Sequence, residues 1–235
     1  MKSYYSRRWY QKWWGLLIIV FILLFLIVAI SSLLYYNQAR QKILSGKGEF
    51  YARSGEIYDP TLLRQGEVKY SLGKKDAPLT LVVFEDFNCP YCKEGYYVMK
   101  EIYQKYPNNI RIIHRDFPFI SQESPTLALA ARCAGEQGRF WLMAEIMYKN
   151  QGVFELTELP DMAESIGVDR EQFSTCLEEQ RYLNEIQKDI EDAAILDIKA
   201  TPTYFFQEYK ASGLMPKESF EATVESMLEN LKNQN

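Results

Sequence analysis

The sequence predicts an α/β fold with a helical insertion, preceded by one N-terminal transmembrane helix. Three observations predict it: an uncharged apolar stretch near the N-terminus, short β-branched runs separated by helix-like segments, and a continuous helical pattern over about residues 122–198. Short buried strands that alternate with helices are typical of layered α/β folds. The predicted order is strand, helix, strand, helical block, strand and helix.

The N-terminal apolar stretch, Gly15–Leu34, contains no charged residue. At a rise of about 1.5 Å per residue, a helix of this length spans roughly 30 Å, the thickness of a bilayer's hydrocarbon core. Aromatic residues flank the stretch on both sides, where they suit membrane interfaces. A cleaved signal peptide is the alternative, but apolar regions of signal peptides are shorter, about 7–15 residues. We therefore expect residues 15–34 to anchor the chain in a lipid bilayer.

Charge is distributed unevenly along the chain. Residues 1–50 hold seven of the 27 basic residues and one of the 31 acidic residues, which leaves the remainder with a net charge of −10. The basic and aromatic segment 1–14 favours a cytoplasmic N-terminus and a domain beyond the membrane. The acidic domain argues against nucleic acid as a partner, because phosphate binding needs clustered cations. We expect a polar stalk at 35–66 and a folded domain at 67–235.

The predicted strands of the domain are short and apolar. LTLVVFE, at 79–85, reads as a strand buried on both faces. After it, apolar residues at four-residue spacing from Val98 predict a helix. NIRIIHRDFPF, at 109–119, and TPTYFFQ, at 201–207, predict two more strands. An amphipathic helix at 217–231 is predicted to end the domain.

Two cysteines, Cys89 and Cys92, lie between the first of these strands and its helix, in the sequence FEDFNCPYCKEGYY. At a helix start, unpaired backbone N–H groups and the helix dipole favour a thiolate and lower the pKa of a cysteine. Cys92 follows one turn later and is more shielded, which suits a resolving thiol. Pro90 fits the first helical turn. The motif therefore predicts a redox-active pair.

Two other interpretations of the pair are weaker. A zinc site usually needs four ligands, but the chain has only two further cysteines, Cys133 and Cys176, and one histidine, His114. A purely structural disulfide across two residues gains little from loop closure. We expect no metal and no cofactor, and a structural role for His114.

FEDFNCPYC resembles the active-site segment of the DsbA-like, thioredoxin-fold disulfide oxidoreductases, and ATPTYFF resembles their Thr-Pro-Thr segment. ARCAGEQGRFW and FSTCLEEQRY resemble helical segments of membrane-anchored and exported members. The resemblance covers about Tyr70 to Leu231 and implies a thioredoxin-like fold. It implies that Cys89 forms a mixed disulfide with a client protein and that Cys92 resolves it. It also implies that Pro202 is cis and that Thr201 presents its backbone to the client; an ordinary trans proline is the alternative.

The sequence departs from the family pattern at three places. Tyr91, which we expect to line the client groove, stands where the strongest oxidases have histidine, so no imidazolium stabilises the thiolate. Val83 stands where thioredoxins hold a buried carboxylate, six residues before the first cysteine. Glu85 and Asp86 are near enough to substitute, but we expect them to be solvated acids at the strand end. The Asn-Gly hairpin usual after the Thr-Pro strand is replaced by QEYKASG, which puts that hairpin in doubt.

Cys133 and Cys176 both lie in the predicted helical block. Outside the cytoplasm an even number of cysteines favours pairing. A bridge between them would close a loop worth about 4 kcal/mol in the chain-entropy model. Two buried free thiols and a second redox pair are the alternatives. Related exported proteins carry a similar pair, and we expect a structural disulfide.

The resemblance implies a membrane-anchored, extracytoplasmic bacterial thiol–disulfide oxidoreductase. Its partners would be exported client polypeptides that contain cysteines and a membrane redox partner that reoxidises it. We expect an oxidase and a monomer. A reductase or isomerase that works from the dithiol form is one alternative, and a membrane-tethered binding module with only structural disulfides is another.

Overall fold

The computed structural model describes residues 13–44, 63, 70–207 and 209–233 of the chain. The chain divides into two units, Met1–Glu49 and Phe50–Asn235. The predicted segment 1–14 lies outside the described residues except for its last two positions. Of the predicted stalk, only residues 35–44 and Leu63 are described.

The first unit contains one long helix, α1, Trp13–Leu44. Its uncharged portion, Leu17–Leu34, has every side chain outside any packed core, and it is the one described helix long and apolar enough to cross a membrane. The helix includes the predicted span and continues ten residues into the predicted stalk. This continuation is expected locally, because the sequence has neither glycine nor proline between Gly15 and Gly46.

The described part of the second unit is built on a mixed sheet of five strands. They are β1 Ser71–Leu72, β2 Leu79–Glu85, β3 Ile110–Asp116, β4 Thr203–Phe206 and β5 Tyr209–Ser212. Their order across the sheet is β1-β3-β2-β4-β5. Of these strands, β2 and β3 pair in parallel, and the other neighbours are antiparallel. The hairpin between β4 and β5, left in doubt by the sequence, is therefore present.

Helices cover both faces of this sheet. The described helices of this unit are α2 Pro90–Lys105, α3 Ser124–Glu136, α4 Phe140–Lys149, α5 Leu159–Ser165, α6 Arg170–Glu178, α7 Leu183–Ile195 and α8 Lys217–Asn233, with a 3₁₀ turn at Leu156–Glu158. Helix α2 connects the parallel strands β2 and β3, helices α3 to α7 form the insertion between β3 and β4, and α8 follows β5. The predicted order of elements and the helical insertion are confirmed, and the fold class is α/β.

Strand β2 lies in the middle of the sheet and is buried at all of its residues. Alternate side chains point to opposite faces of a strand. Leu81 and Val83 belong to the larger core beneath α2, α3 and α4. Val82 and Phe84 belong to a second, smaller core on the other face, which the end of α7 covers. Burial on both faces explains why this strand shows a continuous apolar run instead of an alternating pattern.

A disulfide joins Cys133 of α3 to Cys176 of α6, with 5.8 Å between the two Cα atoms. Both cysteines are buried in the larger core. The bond links residues 43 positions apart and so connects two helices of the insertion. This is the pairing that the sequence analysis preferred over two free thiols.

We expect replacement of both cysteines, Cys133→Ala with Cys176→Ala, to lower the free energy of unfolding by about 2–4 kcal/mol. A cross-link over a long loop restricts the unfolded chain, and its loss favours unfolding. Urea unfolding followed by the fluorescence of Trp141, the one tryptophan after residue 14, measures the change. An unchanged midpoint would show that the bond contributes nothing to stability.

Candidate active site

Cys89 is the N-cap residue of α2 and lies four residues after Glu85, the last residue of β2. Its extended backbone conformation begins the helix, and Pro90 occupies the first turn, as predicted. No side chain caps this helix end. The Cys89 thiol donates to the carbonyl oxygen of Thr201 at 3.4 Å. The cysteine motif and the Thr-Pro-Thr segment, predicted to face each other, are therefore in contact.

The environment of Cys89 favours its thiolate. The hydrogen bond from the Cys92 thiol is the largest influence and lowers the pKa of Cys89 to about 6, against the opposing effect of burial. Backbone N–H groups of Cys92 and Tyr91 add to the stabilisation. These groups stabilise the Cys89 thiolate at the start of the helix, as an imidazolium in the motif would.

Cys92 lies in the opposite environment. It is fully buried, and burial raises the pKa of its thiol well above the usual value. The backbone N–H of Asp86 donates to the Cys92 sulfur at 3.5 Å. The pair is thus asymmetric: Cys89 is the better nucleophile and leaving group, and Cys92 is held as a thiol.

The Thr201–Pro202 peptide is cis. The carbonyl oxygen of Pro202 accepts from the N–H of Gly213 at 2.7 Å, which ties this loop to the end of β5. Tyr204, two residues after Pro202, packs against Gly95 of α2. A Cβ atom at position 95 would collide with the Tyr204 hydroxyl. The absence of a side chain at position 95 therefore lets the wall of the site approach the cysteine helix closely.

Asp86 holds the turn before Cys89 in place. One carboxylate oxygen accepts from the N–H of Asn88 at 2.8 Å. The other accepts from the N–H groups of Phe119 and Ile120, each at 2.8 Å. The expectation that Asp86 is solvated is wrong, since it is 1% exposed. Its position after a strand and two residues before an N–H donor is the Asx-turn pattern that could have indicated this role.

Gln151, which the sequence did not indicate, fastens a second loop to the same turn. Its side-chain amide donates to the carbonyl oxygens of Phe87 at 2.8 Å and Cys89 at 3.0 Å. A glutamine in a loop carries no pattern that predicts a contact more than 60 residues away in sequence.

Exposed apolar side chains belong to these loops and to the motif. They are Tyr91, Phe119, Ile120 and Val153. Tyr91, predicted to line a client groove, is 60% exposed and follows Cys89 by two residues. By contrast, Tyr96 is buried in the core. Solvent-exposed apolar groups that surround a reactive centre are available to bind an apolar segment of another chain.

Glu85 is also buried, at 1% exposed, so the expectation of a solvated acid is wrong for this residue too. One of its oxygens lies 3.1 Å from His114 Nδ1, and the other ring nitrogen lies 3.0 Å from Asp116. Asp116 also accepts from Arg132 at 2.6 Å. His114 is therefore clamped between two carboxylates in the core, at a position where strand β3 lies beside β2.

The two carboxylates keep His114 charged. Burial opposes the imidazolium, but Asp116 and Glu85 outweigh it and raise the pKa of His114 to about 9. Behind Asp116, the network continues through Arg132 and Asp189 to α7. Buried ions alternate in sign along this path, which satisfies charges that would otherwise be costly to bury.

Among the described residues, no group of three or more His, Cys, Asp or Glu side chains is arranged to hold a metal ion. The two free cysteines of the described residues are Cys89 and Cys92. The site is therefore a dithiol beside a cis-proline loop, in which the Cys89 sulfur is activated and the Cys92 sulfur is shielded.

A mixed sheet with a cysteine pair at the start of its crossover helix and a facing cis-proline defines the thioredoxin class of proteins. A family model described as Thioredoxin matches residues 66–226. The chain belongs to this family, and its fold is that of the DsbA-like thiol-disulfide oxidoreductases.

Many solved structures share the fold, among them the following two. BdbD from Bacillus subtilis, in its oxidised form, is 25% identical, with a TM-score of 0.63 over 70% of this chain and 96% of that protein. Wolbachia pipientis alpha-DsbA1 is 19% identical, with a TM-score of 0.64 over 70% of this chain and 93% of that protein, and shows the fold alone.

The curated relatives that match this chain are named as Na(+)/H(+) antiporters. A protein named Na(+)/H(+) antiporter NhaA 1, from Salinispora arenicola (strain CNS-205), is 31% identical over 156 residues. The match covers 66% of this chain, and the chain spans 24% of that relative's length. The antiporter name describes the whole relative, of which this chain matches about a quarter.

We expect the alkylation rate of Cys89 by iodoacetamide to be half-maximal near pH 6. The Cys92→Ala variant should shift this midpoint upward, toward the 9.0 of an unperturbed thiol, because the strongest stabilising hydrogen bond is removed. Peptide mass spectrometry assigns the modified cysteine at each pH. An identical midpoint in both proteins would contradict the role given to Cys92.

We expect the imidazole of His114 to titrate near pH 9 instead of 6.5. His114 is the only histidine of the chain, so its NMR signal needs no assignment by mutation. Because its folded pKa is raised, its stabilising contribution is complete below pH 6.5 and is lost as the pH rises through about 9. A midpoint close to 6.5 would contradict the carboxylate clamp.

Proposed function

We propose that this chain is a membrane-anchored thiol:disulfide oxidoreductase that exchanges disulfides with exported, cysteine-containing polypeptides. The observation that carries the proposal is the asymmetry of the cysteine pair. Cys89 has a pKa lowered to about 6 and contacts the cis-proline loop. Cys92 is buried, with a raised pKa. Such a pair suits attack at one sulfur and resolution at the other.

In the oxidase direction, a client thiolate attacks Cys89 of the Cys89–Cys92 disulfide. A bond forms between the client sulfur and Cys89, and Cys92 leaves as a thiolate that takes up a proton. A second client thiolate then attacks the client sulfur and releases the Cys89 thiolate. The client loses two electrons and gains a disulfide, and the enzyme becomes a dithiol.

The low pKa of Cys89 supports this direction over the reverse. A sulfur with a low pKa leaves readily, and a stabilised thiolate favours the reduced form of the enzyme. The hydrogen bond from Cys92 and the backbone N–H groups supply this stabilisation without a histidine in the motif. A reductase or isomerase that works from the dithiol form is the competing proposal.

The client would bind across the cis-proline loop and the exposed apolar side chains beside it. Thr201 and Pro202 form the wall, and Tyr91 and Phe119 contribute exposed rings. Cys89 itself is 2% exposed. Its sulfur contacts the Thr201 carbonyl oxygen, so access to it requires a local displacement, as is usual for segments that bind ligands.

We place the domain outside the cytoplasm, with the N-terminus inside and Leu17–Leu34 in the bilayer. The basic N-terminal segment supports this orientation. The bond between Cys133 and Cys176 also supports it, because structural disulfides persist in oxidising compartments. A membrane redox partner, quinone-linked in our proposal, would restore the Cys89–Cys92 disulfide after each cycle. No ion transport is proposed for this chain.

We expect the oxidised chain to accelerate disulfide formation in a reduced, unfolded test protein, and Cys89→Ala to abolish the acceleration. The matched control is Cys133→Ala with Cys176→Ala, which removes two cysteines outside the pair and should retain the activity while it folds. Gel-shift counting of free thiols in the test protein measures the rate. Undiminished activity of Cys89→Ala would refute the proposal.

The reduction potential of the pair separates oxidase from reductase. A reduction potential of about −120 mV would support an oxidase, and one of about −270 mV would support a reductase. Equilibration with glutathione buffers of graded composition, followed by thiol trapping, gives the value.

A further inference from the structure

The contact between Gly95 and Tyr204 joins the two sides of the candidate active site. Gly95 lies on α2 three residues after Cys92, and Tyr204 lies on β4 two residues after Pro202. A Cβ atom at position 95 would collide with the Tyr204 hydroxyl and would lie 3.4 Å from the Pro202 ring. The tyrosine and the proline therefore both rest on a helix residue that has no side chain.

The ring of Tyr204 is also held from the side opposite Gly95. It is fully buried, and the ring of Phe220 on α8 packs edge-on against it, with 5.3 Å between the ring centroids. The Tyr204 backbone pairs with Val83 of β2 and with Ala211 of β5. Because packed interiors leave little free space, the hydroxyl end of the ring has no room to turn away from Gly95.

The Tyr204 hydroxyl has no hydrogen-bond partner within the described part of the chain. Burial raises the pKa of Tyr204 well above its usual value, so the group stays a neutral O–H. A buried O–H without a partner costs free energy that a phenylalanine ring would not. What the hydroxyl contributes instead is size, because it fills the space over Gly95 that phenylalanine would leave empty.

The position of Tyr204 affects the surroundings of Cys89. Tyr204 follows Thr201 by three residues, and the Thr201 carbonyl oxygen accepts from the Cys89 thiol at 3.4 Å. Residues 201–206 are all buried, so a shift at Tyr204 is passed to Thr201 instead of being absorbed by a flexible segment. The spacing between Tyr204 and α2 therefore decides how closely Thr201 covers the Cys89 sulfur.

We propose that Gly95 and Tyr204 are positioning residues that set the distance between the cis-proline loop and α2, and so control the access of other molecules to the Cys89 sulfur. This inference rests on the proposed function. The Tyr204 hydroxyl is a spacer that the missing side chain of Gly95 accommodates. The sizes of the residues at positions 95 and 204 therefore depend on each other: a larger residue at one requires a smaller residue at the other.

The first measurement uses the reduced full chain in detergent and the chromogenic disulfide 5,5′-dithiobis(2-nitrobenzoate). The Cys89 thiolate attacks this disulfide and bonds to one half, and the other half leaves as a coloured thiolate with the electron pair of the broken bond. At about pH 8, above the pKa of about 6 for Cys89, the thiolate is formed throughout. The rate of the first coloured phase, followed by stopped-flow absorbance, then reports access to the sulfur. The second measurement is the rate at which the oxidised full chain forms disulfides in the reduced test protein.

In Gly95→Ala, we expect the first coloured phase to be at least about fivefold faster, because small displacements of reacting groups change rates by up to about 10²-fold. The added Cβ atom pushes Tyr204 and the cis-proline loop away from α2 and uncovers the sulfur. The same variant should oxidise the test protein at least about threefold more slowly, because the client loses the correctly placed loop. The two rates should therefore change in opposite directions.

The double variant Gly95→Ala with Tyr204→Phe should restore both rates to within about twofold of wild type, because residues in contact do not act independently. Without the hydroxyl, the nearest atoms to the added Cβ are the Pro202 Cγ at 3.4 Å and the Tyr204 Cζ at 3.6 Å, which are ordinary contact distances. Tyr204→Phe alone only leaves a gap over Gly95, so it should change the first phase less than Gly95→Ala does.

Gly135→Ala is the matched control for a loss of stability. Gly135 is a buried glycine of α3, away from the cysteine pair, and a Cβ atom there would lie 3.0 Å from the Tyr70 ring and 3.3 Å from the Phe140 Cβ. The substitution crowds the same core without touching the cis-proline loop. Both rates should stay at the wild-type value. A first phase accelerated as much as in Gly95→Ala would show that general loosening of the core explains the effect, and would overturn the inference.

Two further results would overturn the inference. One is a first phase of Gly95→Ala that equals the wild-type rate. The other is a double variant that keeps the rates of Gly95→Ala, because the hydroxyl would then not be the spacer. If Gly95→Ala does not fold, the double variant decides: wild-type rates support the inference, and altered rates or failure to fold overturn it. A wild-type chain that reacts with the chromogenic disulfide but never oxidises the test protein would instead refute the proposed function.

Discussion

The burial of strand β2 on both faces is the constraint on which the rest of the domain depends. It lies between β3 and β4, and all of its residues are buried. Because both faces are covered, the residues at its carboxyl end enter the protein interior instead of solvent. Glu85 and Asp86 are therefore buried acids, and the turn that follows them delivers Cys89 to the start of α2. The cis-proline loop precedes β4, the neighbour on one side, and His114 lies on β3, the neighbour on the other.

Burying acids at this position is tolerated because each has defined partners. Asp86 accepts backbone N–H groups from two loops, and Glu85 pairs with an imidazolium. The charge of that imidazolium is in turn held by Asp116, and that of Asp116 by Arg132. Removing one member of such a network leaves its partner as an uncompensated buried charge, which typically costs about 3–5 kcal/mol. The network thus connects Glu85, at the end of β2, to Arg132 in the helical insertion.

The two sulfurs owe their different character to depth more than to the residues between them. Tyr91 provides no charge to the motif, yet the pKa of Cys89 falls to about 6 because the hydrogen bond from Cys92 and the helix N–H groups converge on it. Cys92 lies one turn further into the core, where burial dominates and raises the pKa of its thiol. The same helix therefore presents a thiolate at its end and a thiol inside.

The sequence by itself determined the elements and the chemistry. Apolar periodicity predicts the strands and helices because it reflects local burial, and the spacing of Cys89 and Cys92 at a strand-to-helix junction predicts a redox pair. The resemblance of the Thr201–Pro202 segment adds the facing wall. Only the tertiary structure decided which distant side chains meet: Glu85 with His114, Cys133 with Cys176, and Gln151 with the active-site turn. Solvation of the two acids was predicted wrongly, because a strand end is exposed or buried according to what packs over it, and that depends on contacts far apart in the chain.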